Sequence, residues 1–218
     1  MKIDICFILD CTASMGVWIA EAKQKTVEMV TDICTANPDA EVQVAFVGYR
    51  DYSDLKKIEV IGFTTPEEAQ VAIQWLEAEG GGDEAEDVAT ALFTALHLNW
   101  TGEMKFIIHI ADAPAHGLDF HTPDVSDQFP RGDPNGRDPR DSVEKFSFLN
   151  MNYTFIKMSQ DTDMMIREFE KCYTQGGAFT VLNLVPQKTI GDGSARLSES
   201  VSRHVSDSIR RRTSSPEM

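Results

Sequence analysis

The sequence predicts an α/β domain, a doubly wound and mostly parallel central sheet with helices on both faces. Three observations carry that expectation. Short unbroken apolar runs, such as "ICFIL" at 5–9 and "FIIHIA" at 106–111, are what strands buried on both faces look like. These runs alternate with segments of helical period, which places helices between parallel strands. A chain of 218 residues has room for one sizeable core of this kind, and not comfortably for two.

"KIDICFILD" (2–10) opens the chain as a buried strand, polar only at its ends. From about Val17 to Cys34 the apolar positions Ile19, Val27, Val30 and Ile33 suit an amphipathic helix. "NPDAE" breaks that pattern, "VQVAFVGYRDY" supplies a second strand, and the alternation of "KKIEVIGF" fits a short edge strand. Thr65-Pro66-Glu67-Glu68 starts a helix with a cap, a first-turn proline and two acids near the dipole; Gly80-Gly81-Gly82 is expected to end it. A third helix is expected from about Glu84 to His97, followed by the buried strand "MKFIIHIAD".

Ala113 to Pro139 has no periodicity and is rich in Pro, Gly and Asp. A loop of that length inside a compact domain is functional or mobile. Helix "RDSVEKFSFLN", strand "NYTFIKMS", helix "TDMMIREFEKCYTQ" and strand "AFTVLNLV" complete the domain, taken as residues 1–187. Residues 188–218, rich in Ser and Arg, read as a flexible tail or linker. A stripe of Leu197, Val201, Val205 and Ile209 would instead suit a short docking helix, and "RRRTSSP" matches a short basic phosphorylation motif.

The net charge of -15 repels phosphate backbones, so nucleic acid is excluded as a partner of the domain body, and cations or basic partners are favoured. No apolar run is long enough to span a membrane, and the first ten residues read as a strand rather than a signal peptide. Cys6, Cys11, Cys34 and Cys172 show no metal or redox spacing, which fits a reduced, cytoplasmic protein. On that reading the sequons at Asn99 and Asn152 are chance.

Ligands of open α/β sheets gather at the carboxyl edge of the strands. Three acidic segments are expected there: Asp10-Cys11-Thr12-Ala13-Ser14, the "GGGDEAED" loop containing Asp83 and Glu86, and Asp112 after a central strand. Each has a plainer structural meaning. Asp10 or Ser14 would cap the first helix, Asp83 with Glu86 would form a capping box, and Asp112 would hold the turn before Pro114. Their convergence on one edge favours a cation. Oxygen donors without Cys or His select a hard divalent ion, Mg²⁺ first and Mn²⁺ or Ca²⁺ next, over zinc.

Asp-x-Thr-x-Ser after a first hydrophobic strand resembles the metal-ion-dependent adhesion site of von Willebrand factor type A domains. The resemblance runs from Lys2 to about Val185. More narrowly, "GGGDEAEDVATAL", "IADAPAHG" and "FPRGDPNGRDPR" look like the type A domains attached to atypical α-kinases. The resemblance implies that Thr12 and Ser14 ligate the metal directly, while Asp10 and Asp112 hold it largely through waters. Where the family has a threonine in the second loop this chain has Asp83, with Glu86 as a rival for the position. It also implies a protein partner that presents Asp or Glu to the ion, and no chemistry of the domain's own.

Other features rank lower. Arg131-Gly132-Asp133 spells an adhesion tripeptide, read as incidental in a loop. His116 is expected to be a surface loop residue without a chemical role, and Trp18, Trp75 and Trp100 to pack in the core or at helix ends. The alternative function is a Mg²⁺-dependent phosphohydrolase with Asp10 as nucleophile. The general acid such enzymes place two residues on is here Thr12, which cannot serve, and no phosphate-binding GxxxxGK[ST] loop or kinase signature is found.

Overall fold

The structure is a computed structural model, described over residues 1–184 and at 202, 203, 205–207 and 209. Its centre is β1 (Lys2–Asp10), the most completely buried strand. Alternation along β1 feeds both faces. Ile3, Ile5, Phe7 and Leu9 join one hydrophobic cluster, while Cys6 and Ile8 join the other. Each such Ile or Phe contributes about 1.5–3 kcal/mol through burial.

Strands β2 (Glu41–Tyr49), β3 (Ile58–Thr64), β4 (Met104–Ala111), β5 (Asn152–Lys157) and β6 (Phe179–Asn183) complete a sheet of order β3-β2-β1-β4-β5-β6. All described pairings are parallel except β2 with β3, the expected edge strand. Helices α1 (Ile19–Ala36) and α2 (Pro66–Ala72) cover one face, where Met29, Val30, Ile33 and Ala69 are buried. On the other face α3 (Val88–Leu96), α4 (Pro139–Phe148) and α5 (Asp163–Cys172) contribute Leu92, Phe146 and Phe169. The predicted doubly wound α/β architecture is the one observed.

Two helices depart from expectation in ways that shape the site. α2 starts as expected, with Thr65 capping the Glu68 N–H and Pro66 in the first turn, but stops at Ala72 and a 3₁₀ turn, Ile73–Trp75, follows. Leu76 is then buried in the first cluster, 2% exposed, and the chain runs back to the end of β1, where the Glu79 N–H donates to the Cys11 carbonyl. α3 begins at Val88, not Glu84. Its cap is Asp87, whose carboxylate accepts the Thr90 N–H, so Asp83 and Glu86 form no capping box.

At the far end, Val205 and Ile209 are buried in the first cluster, and the Ser202 hydroxyl lies 3.4 Å from Asp32 of α1. At its described positions the tail therefore lies against the domain. The 187/188 boundary, Leu197, Val201 and the "RRRTSSP" motif lie outside the described residues. Trp75 is 79% exposed, against the packing expected of it; Trp18 lies against the first cluster and Trp100 against Phe63.

Candidate metal centre

The winding direction of the sheet reverses between β1 and β4, so the carboxyl ends of these neighbours border the crevice where open α/β sheets hold ligands. Asp10 ends β1 fully buried. Its Oδ1 accepts the Thr12 N–H at 2.9 Å and the Thr12 hydroxyl at 2.7 Å. The Ser14 hydroxyl donates to Asp112 Oδ1 at 3.0 Å, which joins loops 98 residues apart. Between them the Thr12 and Ser14 oxygens lie 3.0 Å apart. Each hydroxyl has one proton. With both carboxylates ionised those protons are committed to Asp10 and Asp112, so the two oxygens face each other with lone pairs.

The second loop approaches from α2. Gly80 and Gly81 hold φ of +77° and +86°, a left-handed backbone that side chains resist. Their conformation lets Gly80 accept the Ala13 N–H at 3.1 Å and lets Gly81 donate to Asp54. A Cβ on Gly81 would stand 3.2 Å from Glu86 Oε1 and 3.4 Å from Thr12 Cβ, so Glu86 and Thr12 flank this one glycine. Glu86 is fixed by backbone: its N–H donates to the Pro114 carbonyl at 2.9 Å and it forms an isolated parallel bridge with Ala115.

Of the five residues singled out by sequence, Asp10, Thr12, Ser14 and Asp112 are thus joined in one hydrogen-bonded chain. Asp83 is not in that chain. Its Oδ2 accepts the Gln128 N–H, and its carboxylate falls within 4.8 Å of Asp51 and His116. Glu86 and Thr12 flank Gly81, and Asp83 and Glu86 both line the crevice.

The electrostatics of the crevice are one-sided. Glu86 is 3% exposed and Asp10 fully buried, and among the described residues Glu86 Oε2, Asp10 Oδ2 and Asp83 Oδ1 have no hydrogen-bond partner. Burial first, then the carboxylates of Asp10, Asp51, Asp54 and Asp83, pushes Glu86 up to about 10. Burial and then the Asp112 charge hold Asp10 well above the usual carboxylate range, against the two bonds from Thr12. Burial likewise raises Asp112. An ion would replace the protons these acids otherwise need, and buried carboxylates with hydroxyl neighbours fit a hard divalent cation.

A von Willebrand factor A domain model matches residues 4–125, more than half of the chain. The chain belongs to that family. Among curated proteins this type A domain is similar to the α-protein kinase vwkA of Dictyostelium discoideum, 30% identical over 174 residues. That match covers 78% of this chain and 27% of the kinase, so the type A domain spans about a quarter of that relative. Among solved structures it resembles the von Willebrand factor domain of the type V pilus tip protein Mfa5 from Porphyromonas gingivalis, with a TM-score of 0.65 at 13% identity, covering 100% of this chain and 98% of the other. It also resembles the PilB minor pilin from Streptococcus sanguinis, with a TM-score of 0.61 at 14% identity over 99% and 64%. At such identities the likeness is one of fold.

Beside the crevice lies a network that the sequence did not announce. His116, expected at the surface, is 3% exposed. Its Nε2 lies 2.8 Å from Asp51 Oδ1 and its Nδ1 2.8 Å from Asp127 Oδ1, while His121 Nε2 meets Asp127 Oδ2 at 2.9 Å. Asp127 also accepts the Gly117 and Phe129 N–H groups, so it is the hub of the long loop after β4. One signal pointed here: Asp51 lies just past the carboxyl end of β2, much as Asp10 ends β1. Asp127 carried none. The Arg-Gly-Asp carboxylate, Asp133, has a side chain 1% exposed and accepts the Asn135 and Arg137 N–H groups, so it is turned inward.

Among the described residues, no helix is long and apolar enough to cross a membrane. All four cysteines are free.

Proposed function

We propose that this type A domain is a metal-ion-dependent protein–protein interaction module. Thr12, Ser14 and Glu86 would hold a divalent cation, Mg²⁺ or its analogues Mn²⁺ and Ca²⁺, with Asp10 and Asp112 anchoring it from behind. Glu86 takes the second-loop position in place of Asp83. Bound there, the ion supplies a positive centre to which an Asp or Glu of a partner protein can attach. The chain's own part is to orient the two hydroxyls through Asp10 and Asp112 and to keep the crevice rigid.

The observation that carries this reading is the set of buried carboxylate oxygens at the crevice, Asp10 Oδ2, Asp83 Oδ1 and Glu86 Oε2, that accept no hydrogen bond among the described residues. A protein interior tolerates such groups only with a proton or a cation beside them. The phosphohydrolase alternative is less well supported. A nucleophile must reach its substrate, and Asp10 is fully buried with one oxygen held twice by Thr12. The similarity to an α-protein kinase favours a regulatory or scaffolding role beside such a catalytic domain. Free thiols suit a cytoplasmic setting.

Isothermal titration with Mg²⁺, Mn²⁺ and Ca²⁺ tests the site. Wild type should bind one ion, with affinity falling at least tenfold in Ser14→Ala and in Glu86→Gln. Equal affinity in all three proteins would refute the ligand assignment.

A further inference from the structure

The crevice is larger than an ion needs. It opens into a cavity of about 350 Å³. Among its described lining residues are six acids (Asp83, Glu84, Glu86, Asp112, Asp124 and Asp161) and no lysine, arginine or histidine. Glu86 and Asp112 lie inside, with the buried Asp10 behind them. Glu84, Asp124 and Asp161 are exposed and come from three separate segments of the chain, Asp161 from a 3₁₀ turn. Their local bonds are modest: Glu84 Oε2 accepts the Ser126 N–H, and Asp161 Oδ2 accepts the Ser159 hydroxyl. The unpartnered, nine-tenths-buried carboxylate of Glu86 lines the same cavity and marks it as a place that receives something positive.

The charge balance constrains what can approach. One divalent ion offsets at most two of these acids. The exposed rim stays anionic around it, within a molecule of net charge -15. An acidic segment from a partner would have its one carboxylate drawn to the ion and every neighbouring carboxylate pushed off by the rim. A neutral segment gains nothing from the rim, whereas a basic one gains at each side.

We propose that the rim of Glu84, Asp124 and Asp161 selects a basic stretch of a protein partner, in which a single Asp or Glu is flanked by Lys or Arg. The lone carboxylate meets the ion, and the flanking cations meet the three rim acids. This rests on the metal-dependent reading above and adds the chemistry of the partner to it.

The test uses the full chain and three fluorescent pentapeptides, Lys-Lys-Asp-Lys-Lys, Ser-Ser-Asp-Ser-Ser and Lys-Lys-Asn-Lys-Lys, followed by anisotropy with Mg²⁺ or with chelator. The first peptide should bind at least tenfold more tightly than either of the others at low salt. That advantage over the serine peptide should shrink at high salt, and in the triple variant Glu84→Gln, Asp124→Asn, Asp161→Asn. The triple variant should keep Mg²⁺ affinity by titration, since none of the three is placed on the ion. Equal binding of the lysine and serine aspartate peptides to Mg²⁺-loaded protein overturns the rim's role and leaves the ion's intact. Equal binding of the aspartate and asparagine peptides, or binding indifferent to chelator, overturns the proposal in favour of plain basic docking. Failure of wild type to bind Mg²⁺ at all sinks the metal reading itself.

Discussion

At the carboxyl edge of the sheet two sets of buried carboxylates lie side by side. Asp51 and Asp127 surround His116, with His121 beyond. Burial pushes both acids up, but hydrogen bonds and the imidazole outweigh it and hold them below the usual carboxylate range. His116 is the mirror case: burial lowers it, and its bonds to the two acids outweigh that and raise it. Asp10, Glu86 and Asp112 have no cationic partner among the described residues and are all raised. The first set carries its counter-charge in the chain, whereas no counter-charge stands beside the second among the described residues. Proximity of acids is therefore uninformative by itself, and what distinguishes a scaffold from a site is whether the fold supplies the cation.

The comparison can be broken at its hub. Asp127→Ala leaves His116, His121 and two backbone N–H groups without their acceptor. It should cost about 3–5 kcal/mol, read as a shift of the urea midpoint; a loss below about 1 kcal/mol would show that the network is not structural. Next in size is the ion itself. Mg²⁺ at about one hundred times its Kd should stabilise wild type by about 2.7 kcal/mol, and Glu86→Gln by far less. Equal stabilisation of both would place the ion elsewhere.

The pH response separates the two sets. His116 is raised above 6.5, so its contribution is complete below that value and is lost as pH rises through its folded pKa. Asp51 and Asp127 are lowered below 3.8, so theirs is present above that value and is lost as pH falls through their folded pKa values. The stability difference between wild type and His116→Gln, in metal-free protein, should be widest between these limits and narrow on either side. A difference flat across them would mean that His116 carries no charge. The smallest effect is expected at the border: Asp83→Asn should change Mg²⁺ affinity by less than about threefold, or roughly 0.6 kcal/mol. A tenfold loss would return Asp83 to the ion.

Much of this was readable from residue spacing. The period-2 pattern of β1 assigns Ile5 and Phe7 to one face and Cys6 and Ile8 to the other, and parallel topology then forces Asp10 and Asp112 to one edge. Asp-x-Thr-x-Ser is likewise a local device, because Thr12 can reach back to Asp10 whatever surrounds it. "DEAED" was not readable in this way. With two glycines at positive φ before it and no regular period within it, the side each acid takes is set by bonds to distant backbone. Glu86 is fixed to Pro114, while Glu84 and Ala85 donate to the Ser126 carbonyl.

By itself, then, the sequence determined the layers, the strand order's consequence for Asp10 and Asp112, and the oxygen chemistry of the first loop, since these follow from periodicity and chain handedness. The tertiary structure alone decided that Glu86 and Thr12 flank Gly81, that His116 is buried between two acids, and that Val205 and Ile209 are buried in the first cluster. Those outcomes depend on contacts between residues far apart in the chain, which no local spacing encodes.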